Sequence, residues 1–408
     1  MLWKYITLSL ICSLGCTSQQ LIRIPIQQRH HDPILSKRQS ITAVPLLNAN
    51  SREYLIEVSI GTPSQKFNLT LDTGSSDVWI NSSKCSKSNC PSARFSESNS
   101  NTLNQTNRSF QVQYGRGSAK GTVAYDTIAI GQLSCPSQPL GLATSTNDLS
   151  SMRSSGILGL AFPSLMRYPD QDIQFILNLV KNKLIGEPVF SIYLNRQQAD
   201  NVSYTGEIVM GGYETSRFTG SIQFLPLVSY HQQTGQPLIG HTYSSTQGIY
   251  RYWTVPGQAV ACRDKDNRLI YETQLPDIEP AILDTGTTLS YMPQDTVLTL
   301  LKLITTDYKE RKTTSGSIVY EVNCSDFSAQ DRWFDFMFST RLEGFSSNPV
   351  TIRVPLVEMA LAQEESCLFG IAPISTGFLS SVGSGWILGQ TVLRSAYVVH
   401  DMVGCQVG

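Results

Sequence analysis

The chain has 408 residues, 15% of them charged, with a formal net charge of −1, 29 glycines, 19 prolines, nine cysteines and five histidines. That length exceeds one ordinary core and implies two domains, or two similar lobes, once leader segments are removed. No basic run of five or more residues occurs, which argues against nucleic acid, and without an HExxH or CxxC pair no zinc site built from local spacing is expected, so neither metal nor cofactor is invoked.

Residues 1–18 read as a secretory signal: Lys4 is the positive end, Tyr5 to Leu14 the apolar run, and Gly15 to Ser18 the small residues a signal peptidase accepts. The run is too short to span a bilayer and no later apolar stretch of about eighteen residues follows, so no transmembrane segment is expected in the mature chain. The protein is expected to be secreted, or delivered to a vacuole by the same pathway. Residues 19–38 hold Arg23, Arg29, Lys37, Arg38, His30 and His31 against one acid, Asp32. They read as a pro-segment able to cover an acidic cleft, with Lys37-Arg38 as a dibasic processing site, although a plain tether fits the same composition. Its removal leaves a mildly acidic chain.

From Glu53 the pattern is that of strands. Tyr54, Ile56, Val58 and Ile60 alternate, Gly61-Thr62-Pro63 turns, and Phe67, Leu69 and Leu71 lead into Asp72. Alternation recurs over Phe110 to Tyr114, Thr122 to Ile130, Val189 to Leu194, Glu207 to Met210 and Trp253 to Val260. Helical spacing is confined to Asp172 to Leu184 and Pro293 to Ile304. The fold class is mainly β.

Two stretches carry the chemistry. Leu71-Asp72-Thr73-Gly74-Ser75-Ser76 is echoed by Leu283-Asp284-Thr285-Gly286-Thr287-Thr288. In each, an apolar strand delivers a carboxylate to a tight loop, a glycine permits the turn, and neighbouring hydroxyls can orient the acid. Each is followed by an apolar pair capped by glycine, Ile157-Leu158-Gly159 and Ile387-Leu388-Gly389. Alone that triplet is ordinary strand-end sequence; in both halves it points to two similar lobes.

With these residues in view, the chain strongly resembles the pepsin-like aspartic proteases from about Val44 onward. The resemblance is carried by Ile60-Gly61-Thr62-Pro63, LDTGSSDVWI, the YGRGS segment at Tyr114 to Ser118, SGILGLAF, ILDTGTTLSYMP and GWILGQTVLRSAYVVHD. It implies a bilobal fold with a cleft between an N-terminal lobe (39–195) and a C-terminal lobe (196–408), in a secreted aspartyl endopeptidase of fungal type acting as a monomer on protein or peptide substrates. It makes Asp72 and Asp284 the catalytic pair. Ser75 and Thr287 then bond the outer carboxylate oxygens, Thr73 and Thr285 cross-link the loops, and Gly74 and Gly286 complete them. Tyr114 is the tyrosine of a closing hairpin, the flap, formed with Gly115, Arg116 and Gly117, and Trp79 is its hydrogen-bonding neighbour. Arg116 stands where relatives carry a small hydroxyl residue or an acid, and a cation there should disfavour lysine before the cut. The resemblance also matches Cys324 and Cys367 to a bridge in the second half.

Two carboxyls at hydrogen-bonding distance share one proton, the arrangement for which aspartic proteases are the standard example. The ionised member takes a proton from water as it attacks the peptide carbonyl, and the other donates to the developing oxyanion. An optimum of roughly pH 3 to 6 follows from the need for a singly protonated pair. The alternative is a secreted binding protein on the same fold, which kept the cleft and lost hydrolysis; intact Asp-Thr-Gly loops and Tyr114 speak against it.

Cys12 and Cys16 leave with the signal, Cys85 and Cys90 close a short loop, and Cys135, Cys262 and Cys405 are an odd remainder. Sequons occur at Asn68, Asn81, Asn104, Asn107, Asn201 and Asn323, with the loop pair Asn104 and Asn107 best placed for N-glycans. Ser229 to Tyr250 reads as an inserted surface loop near the lobe junction. The chain stops soon after Cys405, where relatives continue through one more apolar strand.

Overall fold

The structure is a computed structural model, described for residues 42–49, 53–149, 152–195, 204–244, 248–313, 316–363, 365–374 and 385–408. These lie in one compact unit, Gln39–Gly408. The signal and pro-segment expectations and Asn201 fall outside the described residues. Among them, no helix is long and apolar enough to cross a membrane.

The alternating segments do form strands. Glu53–Ile60 pairs antiparallel with Gln65–Asp72 across the Gly61 turn, and buries Tyr54, Ile56, Val58 and Ile60 on one side. Gly61 holds φ +85°, a conformation that a side chain would strain. Several strands went unread in the sequence, among them Thr42–Ala49, hidden by its proline and asparagine, and the long Leu133–Asn147, whose pattern lacks clean alternation. The helices are shorter than their periodicity suggests. One spans Phe175–Lys181 with the Gln174 side chain capping its amides, and the other spans Gln294–Lys302 with Pro293 as the cap rather than a member of the first turn.

Three sheets result. A thirteen-stranded sheet carries the first Asp, an eight-stranded sheet the second, and a four-stranded sheet includes Ile318–Val322 and Cys367–Phe369. The local plan around each Asp is the same. Gln65–Asp72 runs parallel to Gly156–Gly159, with Asp72 opposite Gly159, and Glu279–Leu283 runs parallel to Trp386–Leu388, with Leu283 opposite Leu388. The repeated Ile-Leu-Gly is therefore the strand beside each aspartate. The large sheet also takes in Tyr204–Met210 and, from the end of the chain, Tyr397–Asp401, which pairs with Val189–Leu194.

Cys85 is bonded to Cys90 and Cys324 to Cys367. The second bridge spans 43 positions and restricts the unfolded chain by about 3–4 kcal/mol. Cys135 and Cys262 are buried free thiols and Cys405 is half-buried. Asn104 and Asn107 are exposed, but on a strand, Asn104–Gln113, and not in a loop. Asn81 is only 5% exposed. The inserted segment after Ser229 is more than a surface loop: Tyr230 is fully buried and bridges both Pro237 and Ile249, while Ile239 packs with Val228 and Ile278. Its far end meets the first half, where Ser164 Oγ donates to the Tyr250 carbonyl.

The centre of the core is Trp253, fully buried, with Nε1 donating to the Leu160 carbonyl at 3.0 Å. Around it pack Phe162, Phe190 and His400, at ring separations of 4.6, 5.5 and 4.8 Å. His400 lies flat on Phe190 at 4.5 Å, and its buried Nδ1 has no hydrogen-bond partner. It borders a narrow apolar gap with Ile192, Leu194, Thr285, Leu393 and Val398. Burial pushes the imidazole down to about 3, with only a Phe190 backbone hydrogen bond favouring the charged form. Its folded value thus lies below its unfolded one, so the unfolded chain binds the proton first and stability is lost as pH falls below about 6.5 toward 3. His400→Phe should stabilise the fold by about 2 kcal/mol at about pH 4.5, and the gain should shrink above about pH 7, measured by denaturant unfolding at the two pH values.

Candidate active site

Each Asp stands where a buried strand ends and its chain turns. Leu71 and Leu283 are nearly inaccessible, so the strands are anchored, and the turns that follow bring the two loops face to face. Thr73 and Thr285 join them. The Thr73 amide donates to Thr285 Oγ1 at 3.1 Å and the Thr285 amide to Thr73 Oγ1 at 3.0 Å. Thr73 Oγ1 donates in turn to the Leu283 carbonyl (2.9 Å), and Thr285 Oγ1 to the Leu71 carbonyl (2.8 Å). Both threonines are buried, so every one of these groups would be unsatisfied without the other loop.

The carboxyls are held equally symmetrically. Gly74 N–H donates to Asp72 Oδ1 and Gly286 N–H to Asp284 Oδ1, both at 2.8 Å. Ser75 Oγ donates to Asp72 Oδ2, and Thr287 Oγ1 to Asp284 Oδ2 at 2.6 Å. The two acids lie in hydrogen-bonding contact with each other. Burial and the adjacent Asp284 charge raise the Asp72 carboxyl far above the usual carboxylate range, and burial raises Asp284 despite the Thr287 hydroxyl. The pair therefore retains a proton that isolated carboxylates would have lost.

The glycines serve a different purpose from the one the sequence suggested. Neither Gly74 nor Gly286 has positive φ. They are required by space: a Cβ on Gly74 would lie 2.6 Å from Asp284 Cγ, and one on Gly286 would lie 2.4 Å from Asp72 Oδ1. Gly159 and Gly389 are crowded likewise, their Cβ positions 2.7 Å from the Ser75 carbonyl and 2.5 Å from that of Thr287.

The flap lies between strands Asn104–Gln113 and Ser118–Ile130. Tyr114 N–H donates to the Gly117 carbonyl at 3.0 Å, and Gly117 has φ +79°, so the tip is a tight turn that needs a glycine at 117. Trp79 Nε1 donates to Tyr114 Oη at 2.7 Å, and burial together with the Asp72 charge raises that hydroxyl well above its usual value. Gly115 and Arg116 are exposed. Arg116 Nη2 lies 3.4 Å from Asp148 Oδ1, an open pair that only partly offsets its charge. Burial raises the Tyr291 hydroxyl, and the Arg116 charge opposes that rise.

The residues of both Asp-Thr-Gly turns are thus bonded together, Tyr114 is bonded to Trp79 with Gly115, Arg116 and Gly117 at the adjoining hairpin tip, and of the four cysteines Cys90 borders a small cavity with Trp79. Sequence reasoning missed Tyr252. Burial raises its hydroxyl, Arg251 opposes, and the charges of Asp284 and Asp72 add to the rise. No motif marks it; its only signal was its place before the core tryptophan. Gly74→Ala should leave the protein folded but lower kcat/KM by at least about 100-fold, because the added methyl displaces Asp284 by an ångström or so. Circular dichroism and peptide hydrolysis, measured together, check it.

Comparison with known proteins agrees with this geometry. The family model for eukaryotic aspartyl protease matches residues 53–408. Gastricsin of Homo sapiens is 31% identical over 377 residues, covering 90% of this chain and 84% of the relative. Embryonic pepsinogen of Gallus gallus is 28% identical with 98% of each covered, and pepsin-3 of Oryctolagus cuniculus is 30% identical over 90% of this chain and 83% of its own length. With two Asp-Thr-Gly loops interlocked through their threonines and a family match over most of its length, the chain belongs to the eukaryotic aspartyl protease family.

Proposed function

We propose that this aspartic-type endopeptidase hydrolyses peptide bonds in proteins with a water activated between Asp72 and Asp284. The observation that carries the reading is the contact between two buried carboxyls whose pKa values are raised. One proton shared by such a pair leaves one base and one acid at the same point. The ionised carboxylate removes a proton from water while the protonated partner donates to the carbonyl oxygen, and the roles reverse as the amine departs. No covalent intermediate is needed. Neither residue keeps one role through the cycle, because the pair titrates as a unit.

The remaining residues orient and exclude. Ser75 and Thr287 hold the outer oxygens, so that the inner ones face the substrate. Tyr114 closes over the peptide from above, and its hydroxyl, bonded to Trp79, keeps the ring in place. The two halves act as lobes, 39–195 and 196–408, each contributing one acid. Residues 1–18 direct secretion, and residues 19–38 keep the enzyme a zymogen until cleavage after Lys37-Arg38. That reading rests on their composition and on the pepsinogen among the relatives.

The test is hydrolysis of a denatured protein at about pH 3–5, with and without a statine-type inhibitor, comparing Asp72→Asn. The variant should lose at least about 10³-fold in kcat, and the wild-type profile should be bell-shaped, falling on the alkaline side as the shared proton leaves. Full activity at about pH 8 with none at about pH 4 would contradict it. Arg116 gives a second expectation. On a peptide library, cleavage after Lys should be slower than after Leu or Glu, and Arg116→Ser should narrow that gap by about three- to fivefold, since the cation is exposed and partly paired. Faster cleavage after Lys by the wild type would reject it.

A further inference from the structure

The outer strand of the flap hairpin, Asn104–Gln113, ends the thirteen-stranded sheet. The inner strand, Ser118–Ile130, is paired on its other side up to the flap tip, Ser118 with Asn147. The outer strand has no such neighbour among the described residues. Besides its pairing with the inner strand and the buried Phe110, it is held by Arg108. The register against the inner strand shifts between Gln105 and Ser109, and Thr106 Oγ1 secures the bulge by donating to the Val123 carbonyl (2.6 Å) and accepting from the Arg108 amide (3.2 Å). A bulge re-aims a side chain.

The guanidinium thereby reaches the segment 167–172. Nη2 lies 2.9 Å from Asp172 Oδ1 and donates to Tyr125 Oη at 2.7 Å, and Nη1 donates to Gln171 Oε1 at 3.1 Å. Its plane lies 4.8 Å from the Tyr168 ring centre and 5.5 Å from that of Tyr125. The Asp172 carboxylate is 5% exposed and also accepts from Tyr125 Oη at 2.6 Å, while Tyr168 Oη donates to the Ser109 carbonyl at 2.7 Å. Such a half-buried, multiply bonded pair is stronger than an open surface ion pair. The same segment is tied to the first Asp loop: the Arg167 amide donates to the Asp77 carboxylate at 3.0 Å, and the Asp77 carbonyl accepts from Gly159 N–H at 3.2 Å.

From Arg108 to Tyr114 is a lever of about 20 Å along an extended strand. A tilt of about 3° at its base moves the tip by about 1 Å, enough to misplace a group over a reacting carbonyl. We propose that Arg108, held by Asp172, is a positioning residue for peptide capture: it anchors the free-edged strand of the flap to the segment that also braces the first Asp loop, and so keeps Tyr114 over the catalytic pair. The proposal rests on the endopeptidase reading above.

The test compares the wild-type mature enzyme with Arg108→Ala, Arg108→Lys, Asp172→Asn and Tyr168→Phe. Active sites are counted with a tight statine inhibitor, and kcat and KM are measured separately on an extended peptide. Arg108→Ala should raise KM by about 5- to 20-fold, through a smaller closed population, while kcat stays within about threefold and the pH profile is unmoved. Lysine should recover part of the loss. A folded Arg108→Ala enzyme with KM within about twofold of wild type, or one that loses only thermal stability, overturns the proposal. Should that variant not fold, unchanged KM values in Asp172→Asn and Tyr168→Phe overturn it equally, and raised ones support it. An inactive wild-type enzyme would instead bring down the hydrolase reading, and the flap proposal with it.

Discussion

Everything at the centre of this protein depends on four hydrogen bonds between Thr73 and Thr285 and the strands that precede them. They join buried loops whose threonines are 212 positions apart, and each group left unpaired there would cost about 1–3 kcal/mol. The interaction is reciprocal, so neither loop can shift without stranding donors and acceptors of its own. That rigidity is what lets two acids remain in contact. Left free, like charges would separate; held together and buried, they favour sharing a proton.

The rest of the local architecture makes room for that contact. Parallel strands bearing Ile-Leu-Gly flank each Asp strand, and their glycines stand where loop carbonyls crowd in. Below, Trp253 links the halves: its indole bonds to Leu160, whose amide bonds to the Asp72 carbonyl, and its own carbonyl accepts from Leu283. Backbone from one half is thus satisfied by the other all the way from the core to the carboxyls. The same core contains a tension. His400, stacked against Phe190 and bordering the gap under Thr285, is stable there only uncharged, whereas burial raises both aspartates so that they hold a proton. Stability of the fold in acid is thereby limited by this buried imidazole.

Some of this was legible in the chain. The hairpin entering Asp72 reads directly, because one buried face imposes strict alternation on Tyr54, Ile56, Val58 and Ile60. The two facing Asp-Thr-Gly loops read through duplication, since a tripeptide of no weight by itself recurs in matching context. Other features resisted. Thr42–Ala49 carries no alternation because pairing on both edges, with Tyr204–Met210 and Glu53–Ile60, sustains it. The inserted segment after Ser229 is polar in composition, yet a few residues, Tyr230 and Ile239 among them, bury it.

The amino-acid order alone determined that two Asp-Thr-Gly loops exist, that they end apolar strands, and that hydroxyls follow them, because those are nearest-neighbour facts. Tertiary structure decided why glycine is required at 74 and 286, which is the approach of the opposite carboxyl and not the turn. It also decided that Arg108, unremarkable in a string of polar residues, reaches Asp172. Such relations depend on distances between atoms far apart in the chain, and no local pattern encodes a distance that only packing sets.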